Sequence, residues 1–271
     1  MGLSEAVARA YRDAEYAVLE PSFVFRIGER SAALDALLAR TGAPGAAFLT
    51  AANPQSERKS AAENRAAQAE LEKALAGANY SRCPAEGRDP RGAWPPEPAF
   101  LVPGLPRFEA AALGRRFRQN ALVYAWQGSA PQLVDLTGPV RVVLDTNVWL
   151  DWLVFNDASI KPLRAAVAAG RVEICIDEPC AAELAEVLQR PFKRPFDAAA
   201  AMQECFRLSK SIEHGESIGQ LPKCRDLDDQ KFLVAAASAG AEALLTKDEA
   251  LLDLAQHIPR FRIVKPVDFE S

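Results

Sequence analysis

The sequence predicts an α/β protein in two parts, a C-terminal parallel sheet with helices on both faces and an N-terminal α+β domain. Three observations carry this. Short, almost wholly apolar runs recur in the second half: VRVVLD at 140–145, VEICID at 172–177, ALLTK at 243–247 and FRIV at 261–264. Segments with helical spacing separate or flank them, at 159–169, 179–190, 197–212 and 228–239. Ahead of the first run, APQLVDLTGP at 130–139 holds two prolines and a glycine, which predicts a boundary between domains at 1–137 and 138–271.

Each element follows from its period. Strands buried on both sides read as continuous apolar runs, not as alternation. Strands that alternate with helices in this way form a parallel sheet covered on both faces. The first half is less regular. Helices are expected near 31–40, 58–76 and 106–116, and strands near 16–27, 46–51, 98–102 and 119–126. The stretch CPAEGRDPRGAWPPEP at 83–98, rich in proline and glycine, is expected to be an ordered but irregular connection.

Composition narrows the function. With 49% hydrophobic and 25% charged residues the chain can build a proper core, and an ordered protein is expected. Five cysteines without a CxxC pair read as reduced thiols, mostly core filler, and two histidines are too few for a histidine-rich metal site. The N-terminus lacks the apolar stretch of a signal peptide, and no run is long enough to cross a membrane. A cytoplasmic protein with no membrane partner is therefore expected. Up to Pro139 there are 16 Lys+Arg against 15 Asp+Glu, and from Val140 onward 16 against 21. A polyanion would thus have to be held by local patches or through metal ions, not by a basic footprint.

Four carboxylates then stand out. Ligands of a doubly wound sheet bind at the carboxyl ends of its strands. Asp145 closes the first strand of the second half and Asp248 follows the strand ALLTK. Glu183 lies in the first turns of the helix EPCAAELAEVL, and Asp229 opens the helix DQKFLVAAASAG within the acidic cluster CRDLDD. Taken singly, such residues are usually helix caps. Four carboxylates brought together repel one another, and hard oxygen ligands without histidine or cysteine point to Mg²⁺ or Mn²⁺. Such ions are a common apparatus for in-line attack on a phosphodiester.

The segments VVLDTNVWL, AELAEVLQRPF and CRDLDDQKFLVAAASAGAEALLTKDEALL, in this order, resemble the PIN domain, a metal-dependent ribonuclease fold of many toxin–antitoxin toxins. The resemblance implies an Mg²⁺- or Mn²⁺-dependent endoribonuclease in which Asp145, Glu183, Asp229 and Asp248 are the catalytic, metal-holding acids. It makes Asn147 and Thr246 small polar supports. Asp226 and Asp228 stand close enough to share or take the role of Asp229. RNA is the implied substrate, with an antitoxin protein and a second copy of the chain as open partners. The alternative is a PIN fold that binds RNA or protein without cutting.

Two rival motifs fall away. GESIG at 215–219 fits a nucleophile elbow, but that motif needs a strand before Ser217 and a helix after it, and neither is expected. Asn147 stands where a haloacid dehalogenase phosphatase needs a second aspartate. His214 and His257 are accordingly expected at the surface. QRPFKRPF supplies Arg190, Lys193 and Arg194 with Phe192 and Phe196. This suits single-stranded RNA, or equally a solvated helix end with its phenylalanines tucked into the core.

The first half carries no catalytic signal. FLTAANPQSERKSAAEN, WPPEPAFLVPG and LGRRFRQNALVYAW resemble the uncharacterised family DUF3293, with AANP departing from the aromatic expected before the asparagine. Asn53, Glu63, Asn64, Glu97, Gln119 and Asn120 are expected to form turns and caps, with a polar pocket as the other reading.

Overall fold

The computed structural model describes residues 2–193, 195–215 and 221–269. The chain divides into two units, Met1–Gly138 and Pro139–Ser271.

In the first unit, α1 (Glu5–Asp13) leads into β1 (Glu15–Val18), β2 (Phe23–Phe25), α2 (Ala32–Thr41) and β3 (Gly45–Leu49). There follow α3 (Ala61–Gly77), β4 (Cys83–Arg88), β5 (Glu97–Pro103), α4 (Arg107–Arg116), β6 (Ala121–Trp126) and β7 (Gln132–Asp135). Among the described residues the strands form one antiparallel sheet in the order β2-β1-β4-β5-β3-β6-β7. The two-residue period of β3 sorts its side chains to two faces. Ala46 and Phe48 join a core with Leu34, Leu37 and Leu38 of α2. Ala47 and Leu49 join another with Leu71 and Leu75 of α3 and Ala110 and Ala111 of α4.

Three expectations need correcting here, and one element was missed. The run 16–27 is two strands of a hairpin, β1 and β2. The stretch 83–98 is not wholly irregular: Cys83–Arg88 is an inner strand paired on both sides, by β1 and β5. Its proline and glycine discourage a strand locally, but two ladders override propensity. The helix α1 was not expected at all. Within 130–139, β7 pairs with β6 and belongs to the sheet.

The second unit runs β8 (Val140–Leu144), α5 (Thr146–Leu150), a π-helical turn (Asp151–Phe155), α6 (Lys161–Ala168), β9 (Val172–Ile176), α7 (Glu178–Leu188) and α8 (Ala198–Leu208). It continues through β10 (Ser209–Ser211), α9 (Gln230–Ser238), β11 (Ala243–Leu245), α10 (Glu249–Leu252) and β12 (Arg262–Val264). Among the described residues its strands are all parallel, in the order β10-β9-β8-β11-β12. The core behind them includes Val142, Leu144, Ile174, Leu184, Phe232, Leu244 and Phe261. The helix expected over 197–212 stops at Leu208. Ser209 turns extended and its hydroxyl donates to the Cys205 carbonyl at 2.7 Å, and the chain goes on as the edge strand β10.

β8 is the first strand of this sheet, and its two neighbours, β9 and β11, lead the chain outward in opposite directions. The crevice of a doubly wound sheet opens at such a reversal, beyond the carboxyl ends of the strands. Here that place lies between the ends of β8 and β11.

Candidate metal centre

Asp145 follows β8 directly, and its backbone N–H donates to the Leu245 carbonyl at 2.9 Å, joining the ends of β8 and β11. It caps α5, accepting from the Asn147 N–H. Its Oδ2 also accepts from the Thr246 hydroxyl and the Asn147 side-chain amide, both at 2.5 Å. The Thr246 oxygen in turn accepts the Asp248 N–H at 2.8 Å, and Asn147 Oδ1 accepts the Lys247 N–H at 3.2 Å. Asn147 and Thr246 therefore brace one strand end against the other and fix the orientation of a buried carboxylate.

Glu183 arrives from α7, which packs against α5 and α9. That helix starts at Glu178 because Asp177 caps it, accepting the Cys180 N–H at 3.1 Å, with Pro179 in its first turn. Asp229 sits at the N-terminus of α9, yet its side chain makes no capping hydrogen bond. The ordinary reason for an aspartate at a helix start is thus absent there. Asp248 does cap, accepting from the Ala250 and Leu251 N–H groups of α10.

Electrostatics tie the four together. Burial pushes the Asp145 carboxyl up to about 6; the Thr246 and Asn147 hydrogen bonds oppose this, and the charges of Glu183 and Asp248 add to it. Asp229 also rises to about 6, through partial burial and then the charges of Asp145, Asp248, Asp226 and Glu183. Asp145 and Asp229 are thus harder to ionise, through burial first and the charges of the neighbouring acids next.

The remaining expected residues are spread more widely. Asp226 and Asp228 are exposed, and Asp226 accepts the Asp228 N–H at 3.0 Å. With Arg225, Lys247 and Asp248 they line an open cavity of about 760 Å³, whose wall does not include Asp145, Glu183 or Asp229. Arg190 lies past the end of α7 and pairs with Glu186 at 3.5 Å, and Lys193 is exposed. Arg194 lies outside the described residues, as do Ser217 and most of GESIG. Phe192 packs edge-on against both Phe155 and Phe196, and Phe196 rests on the core. His257 is exposed, and His214, near the surface, bonds through Nδ1 to the buried Asp177 carboxylate at 2.6 Å.

Two cations at the site, Lys231 and Lys247, escape a reading for acids alone, and so does the acid Asp151. The Lys231 ammonium stands 2.5 Å from Glu183 Oε2. Lys247 forms an ion pair with Asp151, a carboxylate buried in the turn after α5. The available signal was charge: a cluster of buried acids needs cations, and Lys231 and Lys247 stand within two residues of Asp229 and Asp248 in sequence.

The donor set suits a hard divalent ion, since it offers carboxylate oxygens alone. Beside Asp145, the Thr146 hydroxyl is buried with no hydrogen-bond partner among the described residues. Among those residues no three His, Cys, Asp or Glu side chains are gathered tightly enough to hold a metal ion as they stand. The residue types suit a hard divalent ion, the four side chains are not drawn together around one as they stand, and Lys231 holds one of them.

Residues 141–250 match the family model of the PIN domain. The second unit carries a PIN domain. Residues 49–122 match DUF3293, a protein family of unknown function, so that match falls within the first unit. Among solved structures, the chain is similar to VapBC2 from Rickettsia felis bound to a DNA fragment from their promoter. The likeness has 16% identity and a TM-score of 0.32, covering 46% of this chain and 97% of that one. No curated protein matches the chain. No described helix is long and apolar enough to cross a membrane.

Proposed function

We propose that the PIN unit is a divalent-metal-dependent endoribonuclease. One observation carries the reading: four carboxylates, each from a different connection of the parallel sheet, are electrostatically coupled at the edge where the strand order reverses. Asp145, Glu183, Asp229 and Asp248 would hold Mg²⁺ or Mn²⁺. When bound, such an ion activates water and offsets charge on the phosphate under attack. Thr246 and Asn147 keep the Asp145 carboxylate aimed. Lys247, which lines the adjoining cavity and pairs with Asp151, would meet a phosphate, and Arg190 and Lys193 would hold flanking ones.

The test is Asp145→Asn, which keeps the shape of the side chain and removes its charge. Incubated with a mixed RNA pool and Mn²⁺, wild type should cut and the variant should not, with EDTA abolishing the wild-type activity. Undiminished cleavage by the variant sinks the assignment.

The Lys231–Glu183 contact favours a second reading, a PIN fold neutralised from within that binds RNA or a protein such as an antitoxin without cutting it. Calorimetry with Mn²⁺ separates the two, since only the nuclease reading requires uptake that Asp145→Asn weakens.

A further inference from the structure

We propose that Lys231 is a built-in counter-cation of the carboxylate cluster, holding Glu183 until a divalent ion displaces it, so that metal uptake here is an exchange of cations. The inference rests on the metal-dependent reading above.

Lys231 lies on the first turn of α9, two residues after Asp229, and its side chain is largely covered. Its ammonium meets Glu183 Oε2 at 2.5 Å and donates to the Asp228 carbonyl at 2.5 Å, with the Phe232 ring 5.4 Å away on a third side. A lysine drawn to the surface by hydration would keep its ammonium in water. This one is held by a carboxylate from α7, a carbonyl from the loop before α9 and an aromatic face. The contact joins the helix that brings Glu183 to the helix start that brings Asp229, and of the four acids it engages Glu183.

Such a cation answers the repulsion among the acids, but only in part. It carries one charge and engages one of the four. A divalent ion taking Glu183 as a ligand must break the ion pair and come to rest near a positive charge. Both effects weaken metal binding relative to a site without the lysine. Lys231 therefore sets the concentration at which the ion enters.

The experiment is calorimetric titration of Mn²⁺ into the full chain, as wild type, Lys231→Gln and Lys231→Arg. The glutamine can still donate to the Asp228 carbonyl but has no charge. It should tighten the Mn²⁺ dissociation constant by about tenfold, the scale of one broken charge-assisted hydrogen bond. Arginine, which keeps the charge, should not tighten it. Thermal melts give a second readout: Lys231→Gln should melt below wild type without metal and gain more from saturating Mn²⁺. Circular dichroism checks the fold, and Lys231→Met serves if the glutamine variant does not fold. Wild-type binding with equal or weaker binding by the uncharged variants overturns the exchange and leaves the metal site standing. No Mn²⁺ uptake by any of the chains overturns both.

Discussion

At the residue scale, polar groups in the first unit form a network that braces a turn. Asn53 adopts a left-handed backbone (φ 47°) and donates from its side chain to Glu97 at 2.5 Å. Its Oδ1 accepts from the Lys59 N–H and the Asn64 amide, at 2.9 and 3.0 Å. Gln119 donates to the Ala52 carbonyl, Asn120 to Ser56, and Glu63 closes a capping box with Ser60. Of the expected turn and cap roles, Glu63 fills a cap and Asn53 a left-handed turn, while Asn64, Glu97, Gln119 and Asn120 bond that turn from elsewhere in the chain. Glu97 is the costly member: burial raises its carboxyl above the ordinary 4.5, against the lowering effect of the Asn53 hydrogen bond. A carboxyl raised in the folded state favours its neutral form there. Its contribution is present below about 4.5, the unfolded value, and lost as pH rises through the higher folded value. Wild type should therefore lose stability relative to Glu97→Gln as pH climbs from 4 to 7. Urea melts of both across that range check it, and a constant difference would mean Glu97 ionises as freely folded as unfolded.

At the element scale, β3 shows how backbone proximity fixes a residue. A Cβ on Gly45 would meet the Ala125 carbonyl oxygen at 2.7 Å and the Tyr124 ring at 2.9 Å, both on the neighbouring β6. Backbone cannot step aside as a side-chain tip can. Gly45→Ala should cost about 1–3 kcal/mol, the usual range for overpacking, read as a lower urea midpoint with tryptophan fluorescence as probe. A midpoint within error of wild type would mean the strands separate freely there. No feature of the sequence announces this contact, since Gly45 reads as the start of an apolar run. The second unit was more legible. Its apolar runs around Val142, Ile174 and Leu244 are short, continuous and separated by helical segments, a pattern that specifies a parallel sheet without long-range information. β4 was hidden because Pro84 and Gly87 oppose a strand, and only its pairing with β1 and β5 overrides them. At the site, the acids were legible as residues at strand ends and helix starts. Lys231 and Lys247 were not, because a lysine's direction depends on which charge its long stem can reach once the helices are packed.

At the scale of the whole molecule, each unit has a core and a charge balance of its own. The cores named for the two units share no residue, so 139–271 carries its own. The chain between β7 and β8 is residues 136–139. Four residues span at most about 14 Å, and Leu136 and Thr137 are further tied back, to the Asn120 carbonyl and to Asp135. The Lys+Arg and Asp+Glu counts above give residues 1–139 a balance of +1 and 140–271 one of −5. A fragment 139–271 would meet RNA with the acidic balance alone. We expect it to bind RNA more weakly than the full chain, appearing as a higher KM with a smaller change in kcat, since the carboxylates remain in place. The gap should narrow as salt rises, because repulsion at long range is screened within about 10 Å at 0.1 M. Cleavage rates for the fragment and the full chain on one RNA pool, at low and moderate salt with Mn²⁺ fixed, measure this. A fragment equal to the full chain at every salt concentration would show that the first unit neither presents nor restricts the substrate.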